Sequence, residues 1–456
     1  MPHLDSKPAN DLQSAIKPAG RVRWGILAML FAVTALNYAD RATLSIAQTQ
    51  ISQTFHLDPK QMGFLFSAFA WSYVAAQLPS GWLLDRFGSR IVYFASIFLW
   101  SLFTLLCGAT GFLTGGAAFA VFLALRLLVG TAEAPAFPAN SRIASAWFPK
   151  TERGGAAAIF NSAQYFATVV FAPLMGWLVE KFAWPSVFYV MGALGIGASF
   201  LWLKFVQAPK QHPRLSAAEL AYLEQGGALV DAEGSPQSAR SKIGSWEILV
   251  QLLRNRMLLG IYLGQYAITT LTYFFITWFP TYLIKERNMT VLKAGFVASL
   301  PAIAGFLGGI LGGLISDRML KAGYSLSTAR KTPIVAGMLL SMSMIACNYA
   351  SSNTVVIAFM SLAFFGKGIG ALGWAVVSDT APVQAGGLSG ALFNTFGNIA
   401  GITTPIVIGY ILSATGSFNG ALLFVGANAL LAIFCYLFLV GEIRRVELQG
   451  PDPSRI

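Results

Sequence analysis

Runs of about 20 mostly apolar residues recur along nearly the whole chain, and each is long enough to cross a hydrocarbon core of ~30 Å as a helix. They predict spans near 24–46, 60–83, 91–111, 117–141, 155–179 and 184–206. A polar stretch follows, then spans near 257–285, 292–316, 330–350, 354–378, 387–413 and 418–441. The runs are continuous and do not alternate, which excludes a β-barrel. Of the 456 residues, 55% are hydrophobic and only 11% charged, against about 25% charged in a soluble domain. So few charges cannot cover a water-facing surface, so lipid must be the solvent for most of it. Cys107, Cys347 and Cys435 lie in apolar runs without pairing or metal-ligand spacing, which argues against a disulfide scaffold or a zinc site. The expected fold is an all-α integral membrane protein of twelve transmembrane helices in two six-helix bundles.

The formal charge of +12 reads as a nucleic-acid signal until its location is considered. With the N-terminus inside, the cytoplasmic segments hold Lys7, Lys17, Arg21, Arg23, Arg86, Arg90, Arg142, Lys150 and Arg153. The middle loop, Arg318 to Lys331, and Arg444–Arg445 continue the series; the outer segments offer Lys60, Lys181, Lys285, Arg287 and Lys293. This is the positive-inside pattern, so the charge is topological and no nucleic-acid partner is expected. A multi-pass protein of the cell inner membrane follows, with both termini cytoplasmic and no cleaved leader, because the first span is too long for a signal-peptide core. The expected organisation is a tail (1–22), a bundle (23–206), a linker (207–256), a second bundle (257–442) and a tail (443–456). In the linker, Ser216 and Glu219 predict a capping box opening a short amphipathic helix closed by Gly226–Gly227. A second amphipathic piece is expected over 246–253.

An internal repeat divides the chain at the linker. Gly81-Trp-Leu-Leu-Asp85-Arg86 returns as Gly313-Leu-Ile-Ser-Asp317-Arg318 at an offset of 232, Phe160–Asn161 as Phe393–Asn394 at 233, and Pro173 as Pro405 at 232. Six helices per half is an even number, so both halves enter the membrane in the same direction, related by an axis along its normal. Each copy ends a helix on the cytoplasmic side. There Gly81 and Gly313 are expected to permit close packing, and the Asp and Arg to bridge to neighbouring helix ends across a gate.

The pattern Gly81-x-x-x-Asp85-Arg86-x-Gly88-x-Arg90, its partial copy and the 6+6 layout resemble the major facilitator superfamily. Asn37-Tyr38-Ala39-Asp40-Arg41-Ala42-Thr43-Leu44-Ser45 is similar to the anion:cation symporter family within it. Phe160-Asn-Ser-Ala-Gln164-Tyr-Phe-Ala-Thr, Phe274-Phe-Ile-Thr-Trp278-Phe-Pro280 and Phe365-Gly-Lys367-Gly-Ile-Gly-Ala-Leu-Gly-Trp374 resemble segments of bacterial D-glucarate/D-galactarate permeases and, more loosely, of D-galactonate transporters. The resemblance implies alternating access between the bundles, and substrate-binding roles for Tyr38, Arg41, Tyr73, Gln164, Trp374 and Asn394.

Five ionisable residues lie deep inside the spans: Asp40, Arg41, Arg126, Glu133 and Lys367. A charge at mid-bilayer costs about 2.5–3.5 kcal/mol on insertion scales, so these groups must face water or one another. Interhelical salt bridges without a transport role are the alternative. Arg126 and Glu133 are two turns apart on one face, as are Lys367 and Trp374, while Tyr38 and Arg41 share a face at i, i+3. Three cations against two carboxylates argue for an anionic ligand, with Arg41 offering a bidentate grip. Galactonate-type relatives carry a neutral residue where Lys367 stands, so Lys367 implies a second carboxylate. A hexarate dianion bridging Arg41 and Lys367 is therefore expected, with a monoanionic sugar acid such as galactonate or a hexuronate as the alternative.

Tyr38, Tyr73, Gln164, Gln265, Ser378 and Asn394 are candidates for sugar hydroxyl recognition, with helix–helix hydrogen bonding as the alternative for each; Trp374 can stack on a sugar face. The three histidines, His3, His56 and His212, lie in tail or loops. Asp40 and Glu133 are thus the deep carboxyls left to carry protons, as the family resemblance also implies. The expected function is proton-coupled symport of D-glucarate or D-galactarate. The partners are a sugar-acid anion, protons and lipid, and a monomer without cofactor is expected. An anion channel is the rival of another class. A membrane enzyme lacks a nucleophile–base or metal constellation.

Overall fold

A computed structural model describes residues 20–231, 245–382 and 385–448; Lys7 and Lys17 lie outside them. Among the described residues the chain is helical throughout, without strands. The first half runs α1 (Val22–Phe55), α2 (Pro59–Phe87), α3 (Ser89–Ala109), α4 (Gly115–Glu133), α5 (Ala136–Trp147), α6 (Arg153–Phe182) and α7 (Pro185–Phe205). The connecting stretch carries α8 (Ala217–Gln225) and α9 (Ser245–Arg254). The second half runs α10 (Arg256–Thr277), α11 (Phe279–Lys285), α12 (Val291–Lys321), α13 (Leu326–Ser341), α14 (Asn353–Ile369), α15 (Gly373–Thr380), α16 (Gly386–Thr415) and α17 (Asn419–Phe434). Ten helical segments among the described residues are long and apolar enough to cross a membrane. The remaining two expected spans are occupied by α2 and by α13 with its 3₁₀ extension over Met342–Asn348.

Local sequence sets the helix ends. Asp58 and Gln61 form a capping box at the start of α2, with Asp58 accepting from the Gln61 backbone at 2.7 Å and Gln61 accepting from that of Asp58 at 2.9 Å. Thr290 and Ser325 cap α12 and α13 from one side only, accepting from the backbone N–H of Lys293 and Thr328. Gly88 turns α2 into α3 at φ +77°, a region that penalises any residue with a Cβ.

Several spans read as single helices are broken. Helices α4 and α5 part at Ala134–Pro135 and α10 and α11 at Trp278, two residues before Pro280. Proline lacks the backbone N–H that would continue each ladder. Helices α14 and α15 part at Gly370–Leu372, so Lys367 and Trp374 do not share one continuous helical face. Glycine weakens the helix there. In the linker, Ser216 does accept from Glu219 N at 3.1 Å. The reciprocal half of the expected capping box is not made, because the Glu219 carboxylate turns to Arg23 at 3.2 Å. That buried pair, with Arg23 also reaching Glu152 at 3.1 Å, ties α8 to the start of α1 and the foot of α6.

Glycines set how closely helices approach within each half. A Cβ on Gly308 would lie 2.1 Å from the Phe365 carbonyl, and one on Gly368 2.2 Å from that of Gly305, so α12 and α14 touch backbone to backbone. Small-residue contacts of this kind drive packing where lipid supplies no hydrophobic force.

Among the described residues, the close contacts between the halves gather at the end distal to Val22. Ser45 donates to the Thr277 carbonyl at 2.7 Å, and Thr281 donates to Gln48. A Cβ on Gly63 would lie 2.7 Å from the Pro405 carbonyl, and one on Gly295 2.6 Å from that of Ala172. Tyr165 against Phe306, at 5.7 Å between ring centroids, continues the seam to mid-helix. At the opposite end, added Cβ atoms on Gly81, Gly154, Gly155, Gly313, Gly386 and Gly387 would meet nothing within 4 Å. The expected close packing at Gly81 and Gly313 is therefore absent here, because the helix ends that bear them have parted. The molecule is closed at the distal end and open at the end carrying the repeated motif.

Candidate functional site

Helices α1, α2 and α4 build a charged centre inside the first half. Arg41 Nε donates to Glu133 Oε2 at 3.0 Å, with the Glu133 side chain fully buried and that of Arg41 11% exposed. The guanidinium lies over three rings, Phe69 at 4.6 Å, Tyr38 at 5.0 Å and Tyr73 at 5.1 Å. Phe69 and Tyr73 stack on each other at 5.4 Å, one turn apart on α2. These aromatic faces stabilise a cation without neutralising it. Arg41 Nη2 is buried with no hydrogen-bond partner among the described residues. Nη2 shares the Nε edge of the fork, so Glu133 holds that edge at one point only and leaves a second donor on it unsatisfied.

Glu133 is the last residue of α4, where the Pro135 break directs the chain into α5. Arg126, two turns back, does not pair with it: its guanidinium stands over Phe69 at 5.8 Å and its Nε has no protein partner. The shared-face expectation holds for the backbone, but Arg41 takes the carboxylate. Asp40 is buried and makes no ion pair among the described residues; it lies in electrostatic range of Glu133 and Arg126.

The second half contributes a separate cluster. Gln265 Nε2 donates to Thr269 at 3.1 Å, and Gln265 lies against the backbones of Gly373 and Gly397. Trp374 is 56% exposed and packs edge-on to Phe393 at 4.9 Å. The Asn394 carbonyl accepts from Asn398 Nδ2 at 2.9 Å. Ser378 is exposed, and its carbonyl accepts from Arg445 at 3.1 Å. In the first half, Gln164 donates to the Asn161 carbonyl at 3.2 Å. Lys367 is 8% exposed, with its ammonium 5.2 Å from the Phe364 ring centroid. Among the described residues it has no ion-pair partner and no charged group near enough to couple to it. Arg41 and Lys367 are therefore held apart, in different halves and in different surroundings.

The sequence reading missed Tyr273. This α10 residue donates to Asn398 Oδ1 at 3.1 Å and is the second-half side chain in electrostatic range of Arg41. The repeat offset of 232 that links Gly81 to Gly313 also places Tyr273 opposite Arg41, so the signal was present. Phe69, the ring nearest Arg41, gave no signal because a phenylalanine in an apolar span is unremarked.

The motif residues stay within their own halves. Asp85 pairs with Arg142 of α5. Arg330 bridges Asp379 at 2.8 Å and Asp317 at 3.8 Å. Arg86 stacks over Trp82 and Phe87, and Arg90 donates to the Leu203 carbonyl at 2.7 Å. Arg318 occupies the last turn of α12. None of these bridges crosses between halves, because the open end separates them.

Residues 30–329 match the family described as Major Facilitator Superfamily. The chain is 60% identical over 448 residues to the "Probable galactarate/D-glucarate transporter GudP" of Bacillus subtilis (strain 168), covering 97% of this chain and 98% of that one. It is 57% identical to the protein of the same name from Escherichia coli (strain K12), over 96% and 97% of the two chains. Identity to the D-galactonate transporter of Escherichia coli O6:H1 is 41%, over 95% and 99%. Among solved structures, a D-xylose-proton symporter superposes with a TM-score of 0.73 at 14% identity, over 92% of this chain and 98% of that one. That likeness speaks for the fold alone.

Proposed function

The chain belongs to the Major Facilitator Superfamily, and on that premise we propose that it is a proton-coupled symporter importing a hexarate dianion, D-glucarate or D-galactarate. The Arg41–Glu133 contact is the observation that carries this reading. A carboxylate on the substrate and the carboxylate of Glu133 compete for one guanidinium, whose Nη2 has no other partner. Protonating Glu133 removes its charge and weakens its hold on Arg41, leaving the fork free for a bidentate grip. Proton and substrate are then coupled by electrostatics alone. Tyr38 and Tyr73 frame the guanidinium and supply hydroxyls, while Tyr273 and Asn398 face the same region from the second half.

Lys367 supports a dianion, since a buried ammonium without a carboxylate partner is stabilised by an anion brought to it. Two protons per hexarate make the cycle electroneutral. The open end carries Arg86, Arg142, Arg153 and Arg318, so the positive-inside rule places it on the cytoplasmic side and the conformation faces inward. The protein works in the inner membrane as a monomer, with both termini cytoplasmic.

Uptake into proteoliposomes under an imposed pH gradient tests the reading. We expect saturable, gradient-dependent accumulation of glucarate, competed by dicarboxylate sugar acids more strongly than by monocarboxylates. Lys367→Asn should depress glucarate uptake far more than galactonate uptake. Equal loss of both would favour the monoanion reading, to which the galactonate relative lends support, and flux without saturation would indicate a channel.

A further inference from the structure

The end distal to Val22 carries a group of charges that membrane topology does not call for. In the orientation proposed above it is the outer end, where the positive-inside rule favours few basic residues. The chain turns there six times. The connections over 110–114, 349–352 and 416–418 hold no charged residue. All the charge gathers around the other three, between α1 and α2, α6 and α7, and α11 and α12. There Lys60, Lys181, Lys285, Arg287 and Lys293 stand against Asp58, Glu180 and Glu286, an excess of cations.

These three connections adjoin the closed seam. Lys60, in the first turn of α2, holds its ammonium 5.1 Å from the ring centroid of Tyr410 on α16. Glu180 of α6 accepts from the Leu292 backbone N–H of α12 at 3.3 Å, so Lys181 and Lys293 flank one contact between the halves. Lys285 lies one turn beyond Thr281, whose hydroxyl donates to Gln48 of α1. The acids have structural work: Asp58 accepts from the Gln61 backbone at 2.7 Å, Glu180 from that of Leu292, and Glu286 from that of Phe418 at 2.8 Å. Arg287 has it too, donating to the Cys347 and Ala350 carbonyls at 2.8 and 2.9 Å. Lys181, Lys285 and Lys293 are exposed and make no ion pair among the described residues. Last-turn positions on α6 and α11 suit Lys181 and Lys285, because the helix dipole favours a cation there. Lys60 and Lys293 stand in first turns, where the dipole opposes one. The fold does not account for them.

We propose that Lys60, Lys181, Lys285 and Lys293 form an encounter surface at the outer mouth, where a doubly charged sugar acid is gathered before it reaches Arg41. This rests on the hexarate reading above. Parting of the distal seam leaves Lys60 and Lys181 on one rim and Lys285 and Lys293 on the other. A dicarboxylate entering between the rims then meets a cation whichever end leads. The lysines do not hold the bound substrate; they raise its concentration at the mouth and so its rate of entry. In a fixed potential the attraction of an ion scales with its charge, so an enrichment felt by a monoanion is squared for a dianion. The surface thereby favours dicarboxylates before any contact at the central site. With a screening length of about 8 Å at physiological ionic strength, neighbouring lysines act on one solute together.

Two measurements on the full-length protein test it. In right-side-out membrane vesicles, initial rates are followed for the glucarate dianion and, as uptake or as competitive inhibition, for the galactonate monoanion. Lys181→Gln/Lys293→Gln should lower kcat/KM for glucarate about five-fold and the corresponding constant for galactonate by about the square root of that factor. Turnover at saturating glucarate should stay near wild type, and Lys181→Arg/Lys293→Arg should restore both constants. Raising the ionic strength to about 1 M, where the screening length is about 3 Å, should erase the difference between variant and wild type. The second measurement needs no transport. A cysteine placed by Lys293→Cys should react about three-fold faster with an anionic sulfonate thiol reagent than with its cationic trimethylammonium analogue, each relative to free cysteine. Adding Lys181→Gln should lower that ratio; the native Cys107, Cys347 and Cys435 are buried. An equal change for the two acids, an unchanged kcat/KM for glucarate, or equal rates for the two reagents would overturn the encounter surface. Failure of the wild type to take up glucarate would instead remove the hexarate reading beneath it, and the reagent ratio would then decide whether the mouth attracts anions.

Discussion

Arg41 keeps its charge inside the first bundle because three aromatic faces and one carboxylate surround it, and each contribution is separable. Arg41→Lys preserves the charge but not the planar fork, so we expect driven uptake to fall about a hundred-fold, since a point charge cannot make the bidentate grip. Radiolabelled glucarate uptake measures this. A second residue-scale prediction concerns Arg23 and Glu219, whose side chains are 2% and 0% exposed. Glu219→Ala leaves the Arg23 charge buried beside Glu152 alone, and breaking a buried pair in this way costs about 3–5 kcal/mol. Thermal unfolding of the detergent-solubilised protein should show it. Asp40, Arg41, Arg126, Glu133 and Lys367 were legible in the sequence because a charge in an apolar span is too costly to be incidental. Their pairing was not. Spacing along one helix set Arg126 and Glu133 on one face but named no partner for the carboxylate, which is taken by Arg41, 92 positions away. Tyrosine is tolerated in a membrane span, so Tyr273 drew no notice.

At the scale of the element, the twelve apolar windows located the spans, while the breaks within them followed local backbone chemistry. Proline stops at Pro135 and Pro280 were readable in principle. The break at Gly370–Leu372 was hidden among glycines that serve two ends: some weaken the α14–α15 helix and others admit a neighbouring backbone. Gly308 and Gly368 belong to the second kind. Gly308→Val places a side chain where the Phe365 carbonyl lies 2.1 Å away, so α12 and α14 must separate. We expect a clear drop in melting temperature and in the yield of monodisperse protein on size exclusion. Gly313→Leu, five residues along the same helix, meets nothing within 4 Å and should leave the melting temperature within experimental scatter.

For the whole molecule, the distal seam and the open motif end describe one conformation, and the proposed alternating access calls for a second. The distal contacts at Gly63, Gly176, Gly295 and Gly409 tolerate no added Cβ without movement of a neighbouring backbone. Gly63→Trp should therefore wedge this end apart and bias the molecule toward the opposite conformation. Ser45, 2% exposed and bonded across the seam to Thr277, reports the change. A cysteine placed there by Ser45→Cys should react slowly with a membrane-impermeant maleimide in the parent protein and several-fold faster with Gly63→Trp added; Cys107, Cys347 and Cys435 are buried and contribute little background. The converse prediction returns to Gly313. Alternating access requires the motif ends to approach one another in the other state, so Gly313→Leu should slow transport while sparing stability. Unchanged uptake in that variant would mean that the end bearing Asp317 never closes tightly.

The amino-acid order alone determined the solvent, the number of spans, the two-fold repeat and which ionisable groups lie deep inside the spans. Each of these is written in quantities carried by a single segment: the length of an apolar run, a recurring offset, a charge where lipid should be. Tertiary structure alone decided which carboxylate holds Arg41, that Asp85 and Asp317 bridge within their own halves, that Glu219 reaches Arg23, and that the molecule is closed at one end and open at the other. Those are relations between surfaces of different helices, and helices with similar apolar faces can dock in more than one rotation at little difference in hydrophobic energy. The choice among them rests on backbone-to-backbone fits and on partners far apart in the chain, which become visible only once the helices are assembled.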